Sequence, residues 1–204
     1  LYGRRYQDIS VLAQDKVRFL GERVAAIAAD TLEQAEHALD LIQVDYEELP
    51  AVFDPLAAAK PGAPIIHPAL HTYKGLPKPI DGPTNVFVHE LFTRGDVAEG
   101  FARSDVIVEN TFTVARVHQA FLEPHCCLVW IDDECRIQMW SPNKVPHGLK
   151  ESMANAFRIE KEKIRVNPVA IGGDFGGKGA PIDEPICYLL ALRSDRPVKM
   201  VMEY

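Results

Sequence analysis

Ile171 to Gly179 reads IGGDFGGKG, five glycines in nine positions around one phenylalanine and one lysine. A β-branched, strand-like segment, Ile164 to Ile171, leads into it, and a helix-like segment, Pro181 to Leu192, follows. Glycine has no Cβ, so its backbone takes positive φ and lets another group approach the amides closely. A glycine-rich turn from strand to helix aims backbone N–H groups and the helix dipole in one direction, which suits an anion or a metal-oxo group. The same run also serves as a tight turn that binds nothing. A phosphate-binding P-loop is a poorer match. Gly172, Gly177 and Lys178 fit its spacing, but Gly179 stands where Ser or Thr must hold Mg²⁺.

Working outward, Pro146 to Phe157 reads as a helix with Leu149, Met153 and Ala156 on one face. Cys127–Ile131 and Arg136–Trp140 read as a hairpin across Asp132, Asp133 and Glu134. Asp96 caps a short helix ending near Ala102. Val86–Val88 and Val106–Val114 carry strand-like patterning. Near the N-terminus, Val24–Ala28 reads as a buried strand. A helix capped by Asp30 or Thr31 follows, with Leu32, Ala35, Leu39 and Ile42 toward the core, then a half-exposed strand at Val44 and Tyr46. Residues 55–83 hold seven of the fifteen prolines, a density that leaves no long regular element. His67 and His71 lie in this stretch and read as loop residues, because the prolines forbid the helix a metal pair would need. The fold class expected is α/β (α+β), with a strand–helix–strand region over 1–83 and a mixed α/β region over 84–204.

With 204 residues, 47% hydrophobic and 25% charged, the chain has an ordinary globular composition. No apolar run reaches the roughly 18 residues of a membrane span. A net charge of −7 argues against nucleic acid as a partner. Cys126, Cys127, Cys135 and Cys187 form no C-x-x-C pair, so zinc and iron–sulfur ligation within the chain are unsupported. Cys126 and Cys127 should point to opposite faces of a strand. The strand-like run Pro197–Tyr204 is expected to need a partner after it, so the sequence reads as a piece of a longer subunit.

Five blocks in order resemble the molybdenum hydroxylases, the xanthine dehydrogenase and aldehyde oxidase family. They are Val17–Pro50, similar to the family's hammerhead domain; Asn85–Asp105, with its R-G-D-V; Arg116–Pro124 (RVHQAFLEP); Trp140–Met153 (WSPNKVPHGLKESM); and the GGDFGGKG loop. The resemblance implies that residues 1–83 form a hammerhead-like domain with a proline-rich linker, and that residues 84–204 begin a molybdopterin-binding domain. It implies that Gly172, Gly173, Phe175, Gly176 and Gly177 lie over the molybdenum of a pterin cofactor. Lys144 occupies the position of a family glutamine, where it donates to the metal's oxo group in that residue's place, or Asn143 does, or the site is altered. Asp174 stands where many relatives have glycine, and its carboxylate should turn away from oxo ligands or cap the following segment.

The implied reaction is hydroxylation of an aldehyde or aromatic N-heterocycle with water as oxygen source. Molybdenum sits on molybdopterin or its cytosine dinucleotide form, and electrons leave through 2Fe-2S clusters and FAD on partner subunits. A cytoplasmic dimer of heterotrimers is expected. The family's base lies downstream of this chain, so no catalytic residue is assigned within it, and the isolated chain is expected neither to hold the cofactor tightly nor to turn over. Glu123 is the tempting internal base, but a strand carboxylate beside His125 is more often a structural pair, and His118 is read in the same way. Gly179 replaces the acidic residue of purine-oxidising members, which argues against xanthine. The alternative is a non-catalytic binding or assembly module with the same fold.

Overall fold

The computed structural model describes residues 1–3 and 6–203. Its centre is a four-stranded mixed sheet in the order β3-β2-β1-β4. Strands β1 (Cys126–Ile131) and β2 (Ile137–Ser141) form the expected antiparallel hairpin. Asp132 closes its turn, accepting from the backbone N–H groups of Glu134 and Arg136. Helix α4 (Pro146–Phe157) then carries the chain to β3 (Ile164–Pro168), which pairs parallel to β2. A short connection after the glycine loop leads into α5 (Glu184–Ser194) and back to β4 (Val198–Val201).

Alternation decides which faces are covered. Cys127 and Val129 of β1, Ile137 and Met139 of β2 and Ile164 of β3 share one face. Leu149 and Met153 of α4 and Cys187 and Ala191 of α5 close on that face to make one core. Proline at the first turn and apolar residues at helical spacing set α4, as the sequence predicts. Ala156 is only half buried, and Ser152 and Ala154 are buried as well. Helix α5 begins at Glu184 rather than Pro181. Cys126 and Cys127 do face opposite ways, Cys127 being the buried one. The Cys127 thiol is pushed up by its contact with Cys187 and by burial, which keeps it protonated and inert.

The first part of the chain departs from expectation in several places. Thr31 caps α1 (Leu32–Asp40) by accepting from the Gln34 N–H. Yet α1 buries none of its residues, and Leu32, Leu39 and Ile42 are exposed rather than in the core. Val24–Ala28, Val44–Tyr46, Val86–Val88 and Val106–Val114 form no strands among the described residues. Their patterning is strand-like, but a strand exists only where a neighbour takes its ladder hydrogen bonds, and none does here. Conversely, the strand expected to lack a partner has one: β4 pairs antiparallel with β1, Cys127 opposite Met200. The proline-rich stretch holds the four-residue helix α2 (Pro55–Ala58), capped by Asp54, and one 3₁₀ turn at Leu70–Thr72. His67 bonds to Tyr73 (Nδ1 to Oη, 3.1 Å) rather than pairing with His71. Helix α3 (Val97–Ala102) is capped by Asp96, as expected.

Candidate functional site

Ser141 ends β2 opposite Pro168, which ends β3. The two segments that leave these parallel strands, 142–145 and 169–179, therefore emerge side by side at their carboxyl ends, where α/β sheets commonly bind ligands. The Lys144 N–H donates to the Lys178 carbonyl at 2.9 Å and stitches them together. Asn143 is buried. Its amide donates to the Ala180 carbonyl and its oxygen accepts from the Val145 N–H, so it faces away from the loop tip.

Two carboxylates organise the glycine loop. Asp174 accepts from the backbone N–H groups of Gly176 (2.9 Å) and Lys178 (2.6 Å). It also takes the Lys144 ammonium, and these contacts hold its carboxyl down to about 2. Its side chain thus caps the following segment, as its position in the sequence suggests. Glu123 accepts from the Gly172 N–H at 2.8 Å and pairs with the Lys178 ammonium at 2.6 Å. The Lys178 contact holds the Glu123 carboxyl below its ordinary range. The Lys178 side chain is 1% exposed and its ammonium lies 4.7 Å from the centre of the Phe121 ring. Glu123 is therefore tied to Lys178, a residue far along the chain, and its lowered pKa makes it a poor general base at neutral pH.

The glycines have separate jobs. A Cβ on Gly172 would lie 2.5 Å from Cβ of Glu123, and one on Gly177 would lie 2.6 Å from Cε1 of Phe121. At Gly173, φ is +101° and a Cβ would meet Phe121 at 2.9 Å. These positions are small because segment 119–123 packs against them. At Gly176, φ is +95° and the space beyond its α-carbon is open. Phe175, at φ +42°, is 75% exposed. The amides of Gly172, Gly176, Gly177 and Lys178 already have protein acceptors, so the expectation that the loop's backbone amides stand free for a ligand is corrected at these four. The Phe175–Gly176 tip, with Lys144 beside it, remains the part open to an approaching group.

Two concavities of about 460 and 550 Å³ flank His67 and Tyr73, and neither is lined by residues 171–179. Phe175 and Gly176 at the loop tip are exposed. No group of three or more His, Cys, Asp or Glu that could hold a metal occurs among the described residues. The tip fits the pterin-borne metal that the resemblance implies, since Gly176 leaves room for it and the Lys144 side chain, 38% exposed, supplies a donor.

The sequence profile of the molybdopterin cofactor-binding domain matches residues 79–204. The chain belongs to that family. The profile of the aldehyde oxidase and xanthine dehydrogenase a/b hammerhead domain matches residues 3–50. The chain is 37% identical over 201 residues to a probable xanthine dehydrogenase subunit of Bacillus subtilis, covering 98% of this chain and 25% of that protein. It is 30% identical over 200 residues to the nicotinate dehydrogenase large molybdopterin subunit of Eubacterium barkeri, covering 98% of this chain and 44% of that one. Quinoline 2-oxidoreductase from Pseudomonas putida 86 superposes with a TM-score of 0.81 at 29% identity, over 94% of this chain and 23% of that chain. The chain thus spans less than half the length of these relatives, and about a quarter of two of them. In this molybdopterin-binding family member, what the sequence did not show was the role of Phe121 and the pairing of Glu123 with Lys178. Both are contacts across some fifty residues, and the only hint was a lysine at the end of a run too crowded to expose it.

Proposed function

We propose that this chain is part of the molybdenum-cofactor-binding subunit of an oxidoreductase. The reaction is hydroxylation of an aldehyde or aromatic N-heterocycle, with water as oxygen source. The observation that carries this reading is the Phe175–Gly176 tip, presented at the carboxyl ends of β2 and β3 with open space beyond Gly176. When bound, the molybdenum–pterin group supplies the oxygen-donating, two-electron-accepting centre. The chain's own part is to hold the tip rigid against that group, to offer Lys144 as a hydrogen-bond donor, and to shield one side from water with the Phe175 ring. Gly172, Gly173 and Gly177 contribute by letting the loop lie flat on Phe121 and Glu123.

No residue here is assigned as the base. Glu123 is engaged by Lys178, and the substrate's other walls belong to the remainder of the subunit. Relatives named for xanthine, nicotinate, carbon monoxide and aldehydes all match along most of this chain, so the match by itself does not choose among substrates. Iron–sulfur and FAD subunits, arranged as a cytoplasmic dimer of heterotrimers, complete the proposed assembly. A second reading, a non-catalytic binding or assembly module, is favoured by one observation: Asp174 itself takes two amides next to the tip.

Purifying the intact complex and measuring molybdenum, pterin and turnover on a panel of aldehydes and N-heterocycles separates the two. Stoichiometric molybdenum and substrate-dependent reduction are expected. A stable complex with neither metal nor pterin would support the module.

A further inference from the structure

We propose that Glu123 is a positioning residue, a clasp that closes the glycine loop at both ends and thereby fixes the Phe175–Gly176 tip. One oxygen, Oε2, receives the Gly172 N–H at the loop's start (2.8 Å) and the Lys178 ammonium at its end (2.6 Å). The Glu123 backbone N–H returns a third bond to the Gly172 carbonyl at 3.2 Å. Among the described residues Lys178 is the largest fully buried side chain, and a buried ammonium is tolerated only while a counter-charge faces it. Phe121, itself 2% exposed, lies under both Gly173 and Gly177, so the loop rests on one ring while one carboxylate holds its ends. Between those ends Gly173 and Gly177 rest on Phe121, Asp174 turns back onto the loop amides, and Phe175 and Gly176 face outward. From Gly172 to Lys178 the loop has no other buried side chain; the Lys144–Asp174 pair ties its middle to the segment leaving β2, and the clasp fixes the two ends from which the tip is held.

That the tip faces a metal centre rests on the function proposed above; that Glu123 holds the loop does not. The test therefore has two arms, both on the intact subunit with its partners. In the first, hydrogen exchange is followed in peptides covering 171–178 and, as reference, 126–141. Glu123→Gln keeps an acceptor for Gly172 but leaves Lys178 without a counter-charge, and exchange in 171–178 should rise about tenfold or more while the reference stays within about twofold. Glu123→Gln with Lys178→Met removes the stranded charge and should return protection to within about threefold of the parent. Glu151→Gln, which breaks the exposed pair with Lys161, should change neither peptide.

In the second arm, molybdenum content, the Mo(V) paramagnetic resonance spectrum, kcat and KM are measured on the same proteins. Glu123→Gln should shift the spectrum and lower kcat about tenfold or more with KM within about twofold, and the double variant should recover both. Unchanged exchange in Glu123→Gln, or an equal rise in Glu151→Gln, overturns the clasp. Faster exchange with an unchanged spectrum and kcat overturns the positioning role. A parent subunit without molybdenum contradicts the proposed function, and the exchange arm still decides the clasp.

Discussion

Lys144 and Asp174, thirty residues apart, form an ion pair of 2.5 Å that bridges the segments leaving β2 and β3. Both are positions at which the sequence departs from the pattern it resembles, and they pair with each other. The Asp174 carboxylate gathers loop amides, and Lys144 neutralises it, so the tip carries little net charge.

The pair makes a pH prediction. Lys144 holds the Asp174 carboxyl down to about 2, below the ordinary 3.8. A carboxyl depressed in the folded state stabilises the fold above its unfolded pKa, and that contribution fades as pH falls from near 4 toward 2. Lys144→Gln should raise the Asp174 pKa toward its ordinary value, read by carboxyl NMR titration. An unmoved titration would show that the backbone donors alone hold it.

Asp183 behaves in the opposite sense. It pairs with Arg23 at 2.7 Å, one of its oxygens lacks a partner, and burial lifts its carboxyl to about 6. A carboxyl raised in the folded state binds its proton more tightly there, so its contribution is present below the unfolded pKa near 3.8 and is lost as pH climbs through 6. Asp183→Asn should remove a loss of stability on the order of 2–3 kcal/mol between about pH 4 and about pH 7. Denaturant unfolding at several pH values measures it; an unchanged slope would refute the assignment.

The glycines should separate by what surrounds them. Gly177→Ala drives a methyl into the buried Phe121 ring and Gly172→Ala drives one into Glu123, so each should cost about 2 kcal/mol or more. Gly176→Ala meets nothing and carries only the cost of positive φ, about 1–2 kcal/mol. Gly100→Ala, inside α3 with free space around it, should stabilise by up to about 1 kcal/mol. Thermal unfolding ranks the four, and equal effects at Gly176 and Gly177 would contradict the packing account.

The core prediction is simpler. Met139 is fully buried between the sheet and its two helices, so Met139→Ala should cost about 2–5 kcal/mol. Leu122→Ala, at an almost fully exposed side chain, should cost less than about 0.5 kcal/mol. Similar values for the two would place the core elsewhere.

Local chemistry is legible in the sequence. Proline at the first turn and the spacing of Leu149 and Met153 mark α4, Asp96 marks one cap and Asp30 or Thr31 another that the structure gives to Thr31, and alternation with an acidic turn marks the β1–β2 hairpin. The loop itself and the capping role of Asp174 are legible for the same reason, since each depends on near neighbours. Val106–Val114 and Val44–Tyr46 mislead because alternation records a tendency, whereas a strand needs a partner. The reason for Gly172 and Gly177 stays hidden because what crowds them, Glu123 and Phe121, lies some fifty residues away.

The central claim is that the Phe175–Gly176 tip faces a molybdenum centre. Anomalous diffraction at the molybdenum edge from crystals of the intact, cofactor-loaded subunit tests it most directly. The account predicts a single strong peak beside Phe175 and Gly176, on the side where Gly176 is open. A peak remote from this loop, or none in a fully folded subunit, would contradict it.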